Sequence, residues 1–219
     1  MGGPVRARNP GTGERAASPP VRRGLRLVPM STDTPLRTLP LAPGRWALDT
    51  NHFRVGFAIR HLGVSKVRGQ FLGVTADLVV GETPEDSSLE VVVDLASIDT
   101  GNPDRDAHVR SSDILDVAVR PTMTFRGTGL SGADDDLRLD GELTIGDVTR
   151  PVSFSVEFGG VERFPADGSL HAGFEATGEI RRKDFGLDGG LLATTMLGDV
   201  VKIELDVQFV ALEEPATVA

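Results

Sequence analysis

Cysteine is absent from this chain of 219 residues, which excludes disulfides, thiolate zinc sites and cysteine nucleophiles together. No apolar run approaches the ~18–20 residues that cross a bilayer as a helix, so the chain is not expected to be membrane-integral. Histidine is scarce. His52, His61, His108 and His171 are all there are, without the His-Glu-x-x-His spacing that makes a zinc enzyme, and no metal site or cofactor is predicted. His52 and His61 are separated by an odd interval, which puts them on opposite faces of an unbroken strand. A Gly-x-Ser-x-Gly elbow and a phosphate-cradling glycine loop are missing too.

Positive charge is scarce over most of the chain. Residues 44–219 carry 16 basic and 30 acidic side chains, a net of −14, with no basic stripe. A body of that sign repels phosphate backbones, so nucleic acid is not an expected partner. Residues 1–43 are the reverse, with seven arginines against Glu14 and Asp33, a net of +5, and eight of the chain's 14 prolines. Such a stretch buries too little apolar surface to offset the entropy of ordering it, and it predicts a disordered, basic Pro/Gly-rich tail over 1–43. No 7–15-residue apolar segment follows the arginines as a signal peptide requires, so the expected location is cytoplasmic. Met30-Ser31-Thr32-Asp33 reads as an alternative start that would leave residues 1–29 outside the natural chain.

From Trp46 the apolar period becomes two. Phe53, Val55, Phe57 and Ile59 alternate with Arg54, Gly56, Ala58 and Arg60. Comparable sets run through Leu89–Leu95, Leu137–Ile145, Val152–Phe158, Ala172–Ile180 and Val201–Phe209. Each is a strand with one dry and one wet face. With residues 65–80 and 121–130 the count reaches eight strands, joined by turns such as Pro165-Ala166-Asp167-Gly168. Asp134-Asp135-Asp136 reads as a solvated hairpin tip rather than a calcium site. One segment breaks the pattern. Asn102 as N-cap, Pro103 at the first helical position and Asp104 and Asp106 in the first turn predict a short helix near 103–116. Ile114 and Leu115 are expected to pack against one barrel end. Consecutive one-sided strands remove their edges by closing, so the predicted fold is all-β, an eight-stranded antiparallel barrel over 44–212 with a C-terminal tail at 213–219. A barrel of this size either fills its interior with side chains or holds one small ligand. The residues alone leave that choice open.

The order of motifs resembles the YceI-like family, the lipocalin-like polyisoprenoid-binding proteins. It begins with Asp49-Thr50-Asn51-His52, Val55, Phe57 and His61-Leu62-Gly63, then Val67, Gly69 and Phe71. It continues through Ala96-Ser97-Ile98-Asp99-Thr100-Gly101, Arg105–Ser111, Asp113-Ile114-Leu115-Asp116, Pro121 and Thr124-Phe125. Leu143-Thr144-Ile145, Val148–Val152, Arg182–Leu187 and Gly198-Asp199-Val200 complete it. The chain departs from the family pattern at Phe53, at Ile114-Leu115 and at Gly146-Asp147, changes that would reshape a cavity rather than abolish it.

The resemblance implies non-enzymatic binding of a long isoprenoid lipid, an isoprenoid quinone or polyprenyl chain, in the lumen. The dry-face residues expected to line it are Phe57, Ile59 and Phe71 on the first strands, and Val91 and Val93 on the next. Met123, Phe125, Leu143, Phe154, Phe174 and Ile203 follow on the later strands. His61 and His108 are candidates for a polar head group, and Ile114 and Leu115 for one end of the site. Two alternatives stand beside this reading: an enzyme acting on such a lipid with His61 or His108 as general base, and a filled barrel serving protein contacts. A homodimer is left open.

Overall fold

The computed structural model describes residues 41–133, 136–189 and 195–212. The alternation read from the sequence becomes strands β1 (Gly44–His61), β2 (Ser65–Phe71), β3 (Val74–Val80), β4 (Ser88–Asp94) and β5 (Ile98–Asp99), then β6 (Thr122–Ala133), β7 (Asp136–Ile145), β8 (Val148–Arg163), β9 (Leu170–Arg181) and β10 (Leu197–Ala211). All pairings are antiparallel, in the order β10-β9-β8-β7-β6-β4-β3-β1-β2-β5, and β10 also pairs with β1. β3 lies on the first residues of β1 and β2 on its last seven, so β2 and β3 are two halves of one bent strand, and β5 merely extends β4 along β2. Eight antiparallel strands therefore close into a barrel, which leaves no long unpaired edge.

Among the described strands the pairing register shifts at four places. In β1 the pairing with β10 shifts between Leu48 and Phe53. Trp46 and Leu48 point inward before the shift and Phe53, Val55 and Phe57 after it, because inserted residues reverse the parity of every later side chain. The other shifts fall at Ile59/His61 against the start of β10, at Gly127/Gly129 in β6 and at Phe158/Gly160 in β8. Gly160 has φ 102°, a conformation that a side chain would strain.

The two barrel ends differ. At the end carrying the β1–β2 turn, α1 (Pro103–Arg110) and the connection that follows it lie against the barrel, with Leu115 buried in the main apolar cluster beside Phe185 and Leu187. Asn102 caps α1, its side chain accepting from the Arg105 N–H at 2.9 Å. The opposite end carries the β3–β4 and β8–β9 connections and a second cluster built on Trp46, Val80, Ala172 and Phe209. Leu41 joins that cluster and is buried, so the barrel's contacts begin inside the segment read as tail. Pro40 and Pro43 flank Leu41 and hide any apolar period there. Residues 1–40, 213–219 and the pair 134–135 of the acidic hairpin lie outside the described residues. Among the described residues no helix is long and apolar enough to cross a membrane.

Candidate functional site

The dry faces of the strands do not meet everywhere. In the half of the barrel nearer Trp46 they enclose a cavity of about 280 Å³. Its wall is aliphatic and aromatic: Val55 on β1, Val74 on β3, Leu89 and Val91 on β4, Leu139 on β7 and Leu205 on β10 are typical. Phe125 and Phe154 meet edge to face, centroids 5.4 Å apart, at the level where the cavity gives way to packed side chains. Their rings lie flat against the barrel because glycines face them. Phe154 stands directly across from Gly178, and the Phe125 ring covers Gly141. Among the described residues, polar lining side chains appear only beside the β3–β4 connection and the β6 bulge, as Glu85, Ser87, Ser88 and Thr128. Glu85, Ser88 and Thr128 are exposed and mark the mouth.

Four of the residues expected from the sequence line this cavity: Val91, Phe125, Phe154 and Phe174. Phe57, Phe71, Val93, Met123, Leu143 and Ile203 belong to the continuous apolar cluster toward the α1 end, outside the cavity wall. Phe57 lies against Gly69 and meets Phe71 at 5.7 Å. Ile114 and Leu115 pack into the same cluster from the connection after α1. Ile59 is half-buried and joins neither cluster. His61 sits at the β1–β2 turn, and His108 is exposed on α1 with Nε2 3.5 Å from Asp113. Neither histidine lines the cavity. Wall residues that sequence reasoning did not single out include Val74, Leu89, Leu139, Val156, Ala176 and Leu205. All but Val74 lie on the alternating faces already visible in the sequence, but alternation marks the inside of a barrel without marking which level is empty.

The polar motifs do structural work away from this cavity. Asp49 is buried at the β1 bulge, where it accepts from the Asn51 N–H at 2.8 Å and lies 2.9 Å from His52 Nδ1 and 3.7 Å from His171 Nδ1. The His52 contact, aided by the Asn51 N–H and the charge of both rings, outweighs burial and holds the Asp49 carboxyl below its ordinary range. Asp99 accepts from the Gly101 N–H at 2.8 Å. Buried Asp106 takes the N–H and hydroxyl of Thr100, while Arg105 returns two bonds to Thr100. Arg110 donates to the carbonyls of Ala96 and Ile98, so the whole motif from Ala96 to Ser111 clamps α1 onto β5. Arg182 is buried and donates to the carbonyls of Leu187, Asp188 and Gly198, tying the turn after β9 to the start of β10. Among the described residues no three His, Asp or Glu side chains converge as a metal-ligand set.

Comparison with known proteins agrees with this architecture. Protein YceI of Escherichia coli O17:K52:H18 is 37% identical over 137 residues, 62% of this chain and 71% of that protein. The crystal structure of a Campylobacter jejuni YceI protein shares the fold at a TM-score of 0.62 and 29% identity, over 70% of this chain and 90% of that one. A polyisoprenoid binding domain from Saccharophagus degradans, implicated in plant cell wall breakdown, superposes at a TM-score of 0.59 with 15% identity, over 78% of this chain and all of its own. The YceI-like domain itself matches residues 46–209, nearly the whole barrel from Trp46 to Phe209, and the chain belongs to that family.

Proposed function

We propose that the barrel binds the apolar chain of an isoprenoid lipid, an isoprenoid quinone or prenyl chain, in this cavity and releases it unchanged, for storage, transport or sequestration. The observation that carries the reading is an apolar wall facing an open volume of about 280 Å³, with the polar groups among its described residues confined to one mouth. Water in such a space finds few hydrogen-bond partners, so chain carbons replace it favourably. Each buried carbon contributes about 0.8 kcal/mol gross. Roughly ten carbons then outweigh the lower range of the ~4–15 kcal/mol lost in translational and rotational freedom, a balance suited to reversible carriage. Membership of the YceI-like family and the fold shared with the Saccharophagus degradans domain support the choice of an isoprenoid.

Binding is favoured over turnover by the place of the titratable groups. Among the described lining residues only Glu85 carries an ionisable side chain, and it is exposed at the mouth rather than aimed at a buried chain. A general base must reach the proton it removes, and His61 and His108 lie toward the other barrel end. The test is native mass spectrometry of freshly purified protein, followed by solvent extraction and analysis of the released lipid. Adducts that extract as intact prenyl compounds support the proposal. A ligand-free barrel that also fails to take up added prenyl alcohols would refute it, and conversion of an added lipid to a new product would replace it with the enzymatic reading.

A further inference from the structure

Building on that reading, we propose that the site selects a short prenyl chain with an uncharged head, the head lying at the mouth beside Glu85, Ser88 and Thr128. Two independent features lead there. The first is volume. A cavity of about 150 Å³ takes one six-carbon benzene ring, so about 280 Å³ takes roughly 11 carbons, two five-carbon units, with a third unit lying in the mouth beside the head. A longer chain has to displace the Phe125–Phe154 pair to go deeper, and both rings are buried with their backs on glycine walls. A chain reaching past that pair would meet the packed cluster of Phe71, Val93 and Leu143.

The second feature is charge. Among the described residues lining the cavity there is no Lys, Arg or His, and Glu85 stands at the mouth. Glu82 and Asp86 sit beside it in the same β3–β4 connection. Arg45, on the strand that pairs with β3, is engaged by Asp77 at 2.9 Å. Among the described residues, a phosphate or diphosphate head at this mouth would face carboxylates without a matching cation. A hydroxyl or quinone carbonyl has the Ser88 and Thr128 hydroxyls available and brings no charge to repel.

The test uses the full chain titrated with geraniol, farnesol, geranylgeraniol, solanesol and farnesyl diphosphate, with binding followed by native mass spectrometry and by emission of the single Trp46. Affinity is expected to peak at farnesol and fall for the longer alcohols. Farnesyl diphosphate is expected to bind about tenfold more weakly than farnesol, and added salt or Glu85→Gln should narrow that gap. Phe125→Leu should shift the preferred length upward, and Ala176→Leu, which fills the cavity from its wall, should shift it downward. The pair keeps the length claim testable if either variant fails to fold. Solanesol binding as tightly as farnesol would overturn the length limit while leaving lipid binding intact. Equal affinity for farnesol and its diphosphate would overturn the uncharged head. Failure of every prenyl compound to bind would remove the lipid-binding reading itself, and this inference with it.

Discussion

Gly178 and Phe154 face each other across β8 and β9, and their contact sets the shape of the cavity floor. A Cβ added at Gly178 would stand 2.7 Å from Phe154 Cδ1 and 2.9 Å from Cε1, whereas relaxed carbon contacts lie near ~3.5–4.0 Å. In Gly178→Ala the ring must therefore move by roughly 1 Å, and the side away from the wall is the cavity side. Overpacking of a closed core costs about 1–3 kcal/mol. Here the ring has somewhere to go, which favours the lower half of that range. Gly178 has no left-handed φ, so alanine also gains about 0.4–1 kcal/mol by restricting the unfolded chain. The net expectation is a loss of about 1 kcal/mol, or a midpoint about 2–4 °C lower for a chain of this size. The decisive quantity is the coupling. Gly178→Ala, Phe154→Ala and the double variant, compared by urea unfolding, should show an interaction of about 1 kcal/mol, because alanine carries neither of the ring atoms that the new Cβ would meet. Additivity within about 0.3 kcal/mol would mean that ring and glycine are not in contact, and the account of the cavity floor would fail.

Three further outcomes are expected. Because the Asp49 carboxyl titrates below its unfolded value, its stabilisation is fully present above the ordinary Asp range and is lost as pH falls through the folded value. Unfolding midpoints measured below about pH 4 should thus fall less steeply for Asp49→Asn than for the natural sequence, and parallel curves would contradict this. Arg182→Ala leaves several buried carbonyls without their donor and should cost more than about 3 kcal/mol, with Arg182→Lys recovering only part because an ammonium lacks the forked geometry. A loss under about 1 kcal/mol in denaturant titration would show that other groups or water replace it. Asn102→Ala removes the cap of α1 and should lower stability by about 1 kcal/mol while leaving uptake of a prenyl alcohol unchanged, since α1 lies at the end away from the cavity mouth. Lost uptake with unchanged stability would move the binding site to that end.

Much of the barrel was legible in the sequence because a two-residue period is a local property. The strands carrying Leu89–Val93, Leu137–Ile145 and Val201–Phe209 formed as their alternation predicts. The helix after Asn102 was legible for a similar reason, since caps and proline act within one turn. The pair Ser65–Val80 was less so. It reads as one strand, yet it breaks at Leu72-Gly73 so that its halves can pair with different stretches of β1.

The candidate site was only partly legible. Val91, Phe125, Phe154 and Phe174 were identifiable as inward residues, but so were Phe57, Met123 and Ile203, and nothing in their spacing separates wall from packed core. That separation depends on how much volume the opposite wall and the covering segments supply at each level, which is a property of closure. Leu115, Phe185 and Leu187 fill the α1 end from connections that carry no alternation at all. The bulges at Asp49–His52, Gly127–Gly129 and Phe158–Gly160 reverse inward and outward at the other end, where the cavity opens. Sequence alone thus determined the strands, the helix, the acidic body and the family. Only the closed sheet decided which dry faces touch and which stand apart, because packing density depends on residues brought together from distant strands.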